Sequence, residues 1–153
     1  MATVTCAGKL DHVALMVSDL ERSFRFYNEL LGLQKIDDYE EPNVEGLSEA
    51  IRLSSVQLKM VIVAAPENPE MTLHLSQLTN PECPTGRPAI HHVPSAHVCF
   101  TVADIQATYE SLKSQGVEFV SPPVTWPADK GGWTLCFLYD PDGNLIELVQ
   151  PKG

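Results

Sequence analysis

The sequence predicts an α+β fold in which two βαβββ modules, each of roughly seventy residues, form a shared sheet. The first observation is an internal repeat: residues 10–20 recur at 95–105, with histidine, valine and aspartate at matching positions 85 residues apart. Second, each copy opens with apolar residues at every second position, as in a strand, and continues with an apolar helical face. Third, a glycine follows each helix. One module is too small to bury a good core alone, so we expect the two to share a sheet.

The first module begins with a strand and a helix. Valine or leucine at positions 13, 15 and 17 alternates with His12, Ala14 and Met16, so the histidine lies on the face opposite the apolar side chains. Asp19 is the expected N-cap of the helix and Gly32 its expected stop. The apolar face of this helix consists of Leu20, Phe24, Tyr27 and Leu31. Later strands are expected at 33–39, 58–65 and 71–78, with an extra segment at 42–57 that forms a short helix or a lid.

The second module repeats this order. Asp104 and Gly116 are the expected cap and stop of its helix, which follows a strand with Val98, Phe100 and Val102 on one face. Further strands are expected at 117–120, 134–139 and 144–149, and the turn Asp140–Gly143 joins the last two as a hairpin. Residues 146–150 also match 73–77 of the first module. We therefore expect modules at 8–78 and 95–151, joined by a proline-rich linker at 79–94, within one domain of residues 1–153.

Charge and composition exclude several classes of partner. The net charge of −10 argues against a nucleic acid or an anionic membrane surface, because either needs a basic patch. The longest nearly apolar run, Met60–Ala65, is too short to span a bilayer, and Met1–Lys9 does not resemble a signal peptide. We expect a cytoplasmic protein. Its four cysteines form no CxxC pair and are expected to be buried free thiols: Cys6, Cys83, Cys99 and Cys136.

Four repeat-related positions hold residues that could bind a metal. His12 and His97 open the modules, and His74 and Glu147 lie at matching positions of the closing strands. The helices must cover the apolar face of each opening strand, so both opening histidines point to the other face. Glu147 lies between Ile146 and Leu148, where an unpaired carboxylate would be costly to bury and a divalent ion would neutralise it. Imidazole and carboxylate ligands suit zinc, iron, nickel, cobalt or manganese.

With these motifs the sequence resembles the vicinal oxygen chelate superfamily, which contains glyoxalase I, extradiol dioxygenases, methylmalonyl-CoA epimerase, fosfomycin-resistance enzymes and bleomycin-binding proteins. The resemblance covers residues 8–151 and is carried by the segments 12–20, 26–33, 97–104 and 139–147. It implies paired βαβββ modules in a U-shaped, eight-stranded mixed sheet around a metal cleft, and a homodimer. It also implies one divalent metal ion bound by His12, His74, His97 and Glu147.

The resemblance leaves three functions open. The first is a metal-dependent, glyoxalase-like lyase or isomerase acting on a small oxygen-chelating substrate, with Glu147 as the base and His74 as its partner. His74 departs from the family pattern, since glyoxalase I has glutamate there and the epimerase glutamine, and it could be an acid or base rather than a ligand. The second is an Fe(II)-dependent dioxygenase, for which His12, His97 and Glu147 supply two histidines and a carboxylate. The third is a non-enzymatic, bleomycin-resistance-type binding protein.

Two features separate these alternatives. Extradiol enzymes resemble one another in having a histidine and a tyrosine ahead of the glutamate. In this chain Phe137 occupies the position of that tyrosine, and Tyr139 comes two residues later. No histidine lies between Ile105 and Glu147. The bleomycin-binding members lack a metal set, which this chain has. The pattern therefore favours the lyase or isomerase. Fosfomycin modification needs basic residues around a phosphonate, and those of this chain are scattered.

Other residues are interpreted more simply. Met60, Trp126 and Trp133 are candidate substrate-binding residues at the cleft, although ordinary core or loop-anchor packing is the favoured explanation for them. His91 and His92 are expected to be an exposed pair in the linker rather than a second metal site. The acidic run 37–41 is expected to be a solvated strand end, because successive side chains alternate between faces.

Overall fold

The computed structural model describes residues 10–42, 45–87, 90–91, 93, 95–127, 129 and 131–152. The chain divides between Cys83 and Pro84 into two units, each with a four-stranded mixed sheet. No helix in the described ranges is long and apolar enough to cross a membrane.

The first unit has the order of elements that the sequence predicts for one module. Its sheet order is β1-β4-β3-β2, with β1 parallel to β4 and the other pairs antiparallel. The extra segment at 42–57 contains a short helix, which is one of the two structures expected for it. The elements are β1 (His12–Met16), α1 (Leu20–Arg25), a π-helical turn (Phe26–Leu30), β2 (Gln34–Glu41), α2 (Glu45–Ile51), β3 (Gln57–Ala65) and β4 (Asn68–Asn80).

The second unit has the same topology, with the sheet order β5-β8-β7-β6. Its outer pair β5 and β8 is parallel, like β1 and β4. Two modules of one design confirm the predicted α+β class of paired βαβββ units. The elements are β5 (His97–Thr101), α3 (Ile105–Ser114), β6 (Val124–Thr125), β7 (Thr134–Tyr139) and β8 (Leu145–Gln150).

One predicted strand of the second unit is wrong. Residues 117–120 form only an isolated bridge between Phe119 and Leu138, and the outer strand is Val124–Thr125 instead. The amide of Val120 still donates to the carbonyl of Phe137 at 2.8 Å. Pro122 and Pro123 come after Ser121, and because proline has no N–H, pairing stops there and resumes at Val124.

The first helix is also less regular than its apolar face predicts. After Arg25 it widens into a π-helical turn, in which the amide of Leu31 donates to the carbonyl of Phe26 at 3.2 Å. Tyr27 in this turn is fully buried. Gly32 ends the helix at φ 77°, a backbone conformation that favours glycine, so the predicted stop is confirmed.

Equivalent side chains cap the two helices. The carboxylate of Asp19 accepts from the amide of Arg22 at 3.0 Å, and that of Asp104 accepts from the amide of Ala107 at 2.9 Å. Gln77 and Gln150, at the ends of β4 and β8, accept from the amides of Leu20 and Ile105. Each helix is therefore joined to the closing strand of its own module, on the face opposite the opening histidine.

The cores of both units lie on this helix-covered face. In β1 the side chains of Val13 and Leu15 are half-buried, whereas His12, Ala14 and Met16 are exposed. The same alternation occurs in β5. The face prediction for the opening strands is therefore confirmed within each unit. The fully buried core side chains include Tyr27, Val63 and Leu75 in the first unit and Leu138, Ile146 and Leu148 in the second.

Candidate metal centre

In the first unit the parallel pairing of β1 with β4 brings two histidines together. Ala14 is opposite His74 and His12 is opposite Thr72, so all four side chains share one face. The imidazole rings of His12 and His74 stack with centroids 4.0 Å apart and planes inclined by 2°. His12 Nδ1 lies 2.7 Å from the Asp11 carboxylate, and His74 Nε2 lies 3.2 Å from the Thr72 hydroxyl.

The environment favours a neutral ring at His74. Burial lowers its pKa from the ordinary histidine value of 6.5, and the positive charge of a protonated His12 lowers it further. The carboxylate of Asp11 opposes this shift. A neutral imidazole has a free lone pair, which both a metal ligand and a proton acceptor need.

In the second unit the equivalent strands β5 and β8 bring a histidine and a carboxylate together. His97 Nε2 lies 3.0 Å from Glu147 Oε2. The Glu147 side chain is only 16% exposed, whereas that of His97 is 42% exposed. The edge of the His97 ring also meets Phe137 at a centroid distance of 5.4 Å. The buried carboxylate therefore has a polar partner in the protein, as the cost of burying it requires.

Cys99 lies beside Glu147, and sequence reasoning missed this neighbour. The two residues are opposite each other in the pairing of β5 with β8, so their side chains lie on one face of the sheet. Loss of hydration and the adjacent carboxylate raise the pKa of the Cys99 thiol to about 12. The available signal was its position two residues after His97, which places both side chains on one strand face.

The expectation of buried free thiols is correct only in part. Cys83, Cys99 and Cys136 are free. Cys136 is fully buried, but Cys83 is half-buried and Cys99 is exposed. Cys99 differs because it lies on the face of β5 that the helix does not cover. Cys6 lies outside the described residues.

The two residue pairs occupy equivalent places in their modules. Ala14 faces His74 in the first unit just as Cys99 faces Glu147 in the second, so the register of strand pairing repeats with the sequence. Within the described part of the chain, no group of three or more His, Cys, Asp or Glu residues is placed to hold a metal ion. Each unit offers two donor residues: His12 with His74, and His97 with Glu147.

The donor chemistry fits a divalent ion. Two ligand atoms that each lie about 2.0–2.1 Å from a tetrahedral zinc ion are about 3.3–3.4 Å apart, somewhat more than the 3.0 Å between His97 Nε2 and Glu147 Oε2. A small side-chain adjustment would therefore let both atoms bind one ion. Imidazole and carboxylate groups also match the ligand preferences of zinc and the neighbouring transition metals.

The candidate substrate-binding residues are placed as follows. Met60 is buried in β3, opposite Ser76 of β4, and the Tyr39 hydroxyl lies 3.6 Å from its sulfur. Trp126 and Trp133 are 51% and 42% exposed, and the amide of Trp126 donates to the carbonyl of Trp133 at 2.8 Å. Their contact with a substrate stays a prediction. His91 is exposed, as expected, while His92 lies outside the described residues.

Comparison with known proteins identifies the family. The model of the Glyoxalase/Bleomycin resistance protein/Dioxygenase superfamily matches residues 9–148. This range includes all four repeat-related residues and all but the outermost residues of the two modules. The chain therefore belongs to this superfamily, and the resemblance seen in the sequence is confirmed.

Comparison with curated proteins and solved structures indicates which members of the superfamily the chain is similar to. A lactoylglutathione lyase of Pseudomonas aeruginosa is 29% identical over 151 residues, covering 92% of this chain and 81% of the relative. A probable lactoylglutathione lyase of Vibrio parahaemolyticus is 30% identical over 148 residues, covering 95% and 92%. Among solved structures, a glyoxalase family protein of Bacillus cereus superposes with a TM-score of 0.84 at 22% identity, covering 98% of this chain and 100% of that one. The chain is a glyoxalase-like member of the superfamily.

Proposed function

We propose that the chain is a divalent-metal-dependent lyase or isomerase acting on a small substrate that chelates the metal through its oxygens. The observation that carries this proposal is the repetition of a donor pair at equivalent strand positions of both units. The similarity to lactoylglutathione lyases supports the reaction class.

The proposed ligands are His12, His74, His97 and Glu147. The ion is zinc, iron, nickel, cobalt or manganese, since each accepts imidazole and carboxylate ligands. When bound, it would act as a Lewis acid that stabilises negative charge developing on a substrate oxygen.

Proton transfer is assigned to two of these residues. We propose Glu147 as the base that removes a proton next to the substrate carbonyl, because its largely buried carboxylate is poorly hydrated. His74 is its partner, since the environment favours a neutral ring that can accept a proton. Met60, Trp126 and Trp133 are proposed to line the apolar part of the substrate site.

Metal analysis of freshly purified protein tests the proposal. We expect about one ion per chain, lost in His97→Ala and in Glu147→Ala because each removes a ligand. His91→Ala removes an exposed histidine of the linker and is the matched control, with metal content unchanged. A wild-type protein that contains no metal and cannot be loaded would contradict both enzymatic functions and leave the binding protein.

The dioxygenase remains the second candidate because two histidines and a carboxylate are also the ligand set of non-haem iron oxygenases. Lactoylglutathione, the compound named in the similar lyases, is the first substrate to test. Anaerobic turnover, with exchange of deuterium next to the carbonyl, would support the lyase or isomerase. Turnover of a catechol that consumes O₂ and requires Fe²⁺ would contradict it.

We also propose that the chain forms a homodimer, as the family resemblance implies. Sedimentation equilibrium over a tenfold or wider concentration range measures the mass directly. A mass equal to one 16.8 kDa chain throughout that range would contradict the dimer.

A further inference from the structure

We propose that Cys99 is a positioning residue: its thiol donates a hydrogen bond that holds the Glu147 carboxylate in place to bind the metal. This inference rests on the proposed function, because it concerns how a ligand of that metal is oriented.

The first argument is the adjacent placement of the two side chains. Cys99 and Glu147 are opposite each other in the parallel pair β5 and β8, so their side chains lie side by side on one face of the sheet. Burial and the adjacent carboxylate raise the pKa of the Cys99 thiol, which therefore keeps its hydrogen. The thiol carries the hydrogen, so the carboxylate is the acceptor. Because Glu147 is only 16% exposed, its oxygens have little access to water and depend on donors supplied by the protein.

The second argument is the difference between the two modules. In the first unit the residue equivalent to Cys99 is Ala14, which has no polar group to offer His74. His74 is oriented instead by the stacked ring of His12 and by the Thr72 hydroxyl. A carboxylate cannot be held by ring stacking, and the module that has a carboxylate at this position also has a thiol opposite it.

The third argument concerns His97, the other polar partner of Glu147, and how metal binding would change its role. In the structure His97 Nε2 lies 3.0 Å from the carboxylate. An imidazole nitrogen that binds an ion uses its lone pair and carries no hydrogen, so it cannot also donate to Glu147. Cys99 is then the neighbour that still donates to the carboxylate, in the way that outer partners orient metal ligands in other proteins.

A competition titration with Co²⁺ and a chromophoric chelator tests this role. Loss of an outer partner typically weakens metal binding by about 10- to 100-fold, and a thiol is a weak donor, so Cys99→Ala should weaken Co²⁺ binding ~10-fold. Cys99→Ser keeps a donor at the same place and should restore the affinity to within about twofold. Cys83→Ala removes a free thiol from the other unit and is the matched control, with affinity unchanged.

Two further measurements separate positioning from a general effect on the fold. The visible absorption of bound Co²⁺ should change in Cys99→Ala and return in Cys99→Ser, because it reports the ligand geometry. The Tm of the metal-free protein should fall only slightly in Cys99→Ala, because a thiol is a weak donor, and it should recover in Cys99→Ser. An alanine variant that binds Co²⁺ as tightly as wild type, or a serine variant that binds as weakly as the alanine variant, would overturn the positioning role. A wild type that binds no Co²⁺ would instead overturn the proposed function, and this role with it.

Discussion

His74 and Glu147 show how equivalent positions of a repeat can hold different chemistry. Each lies on the closing strand of its module and contacts the opening histidine on the neighbouring strand. His74 is neutral by preference, because burial and the neighbouring imidazole oppose a second positive charge. Glu147 has the imidazole of His97 as its polar partner instead. In the proposed function, His74 supplies a proton acceptor and Glu147 a carboxylate ligand.

The lowered pKa of His74 predicts a pH-dependent stability of the metal-free protein. A folded-state pKa below the unfolded value of 6.5 means that the unfolded chain binds more protons near pH 6. The stabilising contribution is therefore present above about pH 6.5 and is lost as the pH falls through the lowered folded value. Urea unfolding in the presence of a chelator, from about pH 7.5 downward, measures this.

His74→Gln is the informative variant for this prediction. It removes the titrating ring, so its free energy of unfolding should fall less steeply with acidification than that of wild type. His91→Gln removes an exposed histidine and should retain the wild-type slope. Equal slopes for wild type and His74→Gln would contradict the prediction.

Among the elements, the hairpin between β7 and β8 shows how a local motif fixes the register of a functional strand. Asp140 is 3% exposed and accepts hydrogen bonds from the amides of Asp142 and Asn144 at 2.9 and 2.7 Å. Its second oxygen accepts from the Asn144 side chain at 2.9 Å, and Gly143 completes the turn at φ 87°. Because the hairpin sets which residues of β7 and β8 are opposite, it also sets the face on which Glu147 lies.

Asp140→Ala should therefore destabilise the protein by about 2–3 kcal/mol, because part-buried donors of the turn lose a charged acceptor. Asp140→Asn keeps one acceptor oxygen, so its free energy of unfolding should fall by less. Asp129→Ala removes an exposed loop carboxylate and should change the stability by less than about 0.5 kcal/mol. Urea denaturation measures all three free energies of unfolding, and an Asp140→Ala variant as stable as wild type would show that the hairpin does not depend on this carboxylate.

For the chain taken as one unit, the main electrostatic property is its net charge of −10. Such a surface repels anionic substrates over distances of about one Debye length, ~10 Å at 0.1 M salt. Glutathione derivatives carry negative charge, so this repulsion would slow their binding without affecting neutral substrates.

Under the proposed function, raising the salt concentration should therefore increase kcat/KM for an anionic substrate such as lactoylglutathione. We expect a rise of roughly two- to fivefold between about 10 mM and 200 mM salt, because screening weakens the repulsion. The neutral lactoyl thioester of N-acetylcysteamine is the matched control and should show little change. Steady-state kinetics measures both, and a kcat/KM for lactoylglutathione that falls with salt would point to a positively charged substrate site instead.

Features set by short-range pattern could be predicted from the sequence. The alternation of faces in β1 and β5, the helix caps and the hairpin all depend on residues near one another in the chain, and the repeat is found by comparing two such local segments. The class of fold and the four repeat-related positions follow from these patterns. The π-helical turn after Arg25 and the strand lost before Pro122 do not, because packing and missing donors overrode the local preferences there.

The contacts that define the candidate site were decided by tertiary structure. Strand pairing selects which residue is opposite Glu147, and the sequence alone contains no measure of that register. The stack of His12 on His74 joins residues 62 positions apart, and the partners of Glu147 on β5 are 50 and 48 positions away. Local periodicity determines the face on which a side chain lies, whereas only the folded sheet determines its neighbour, because that choice depends on the packing of the whole module.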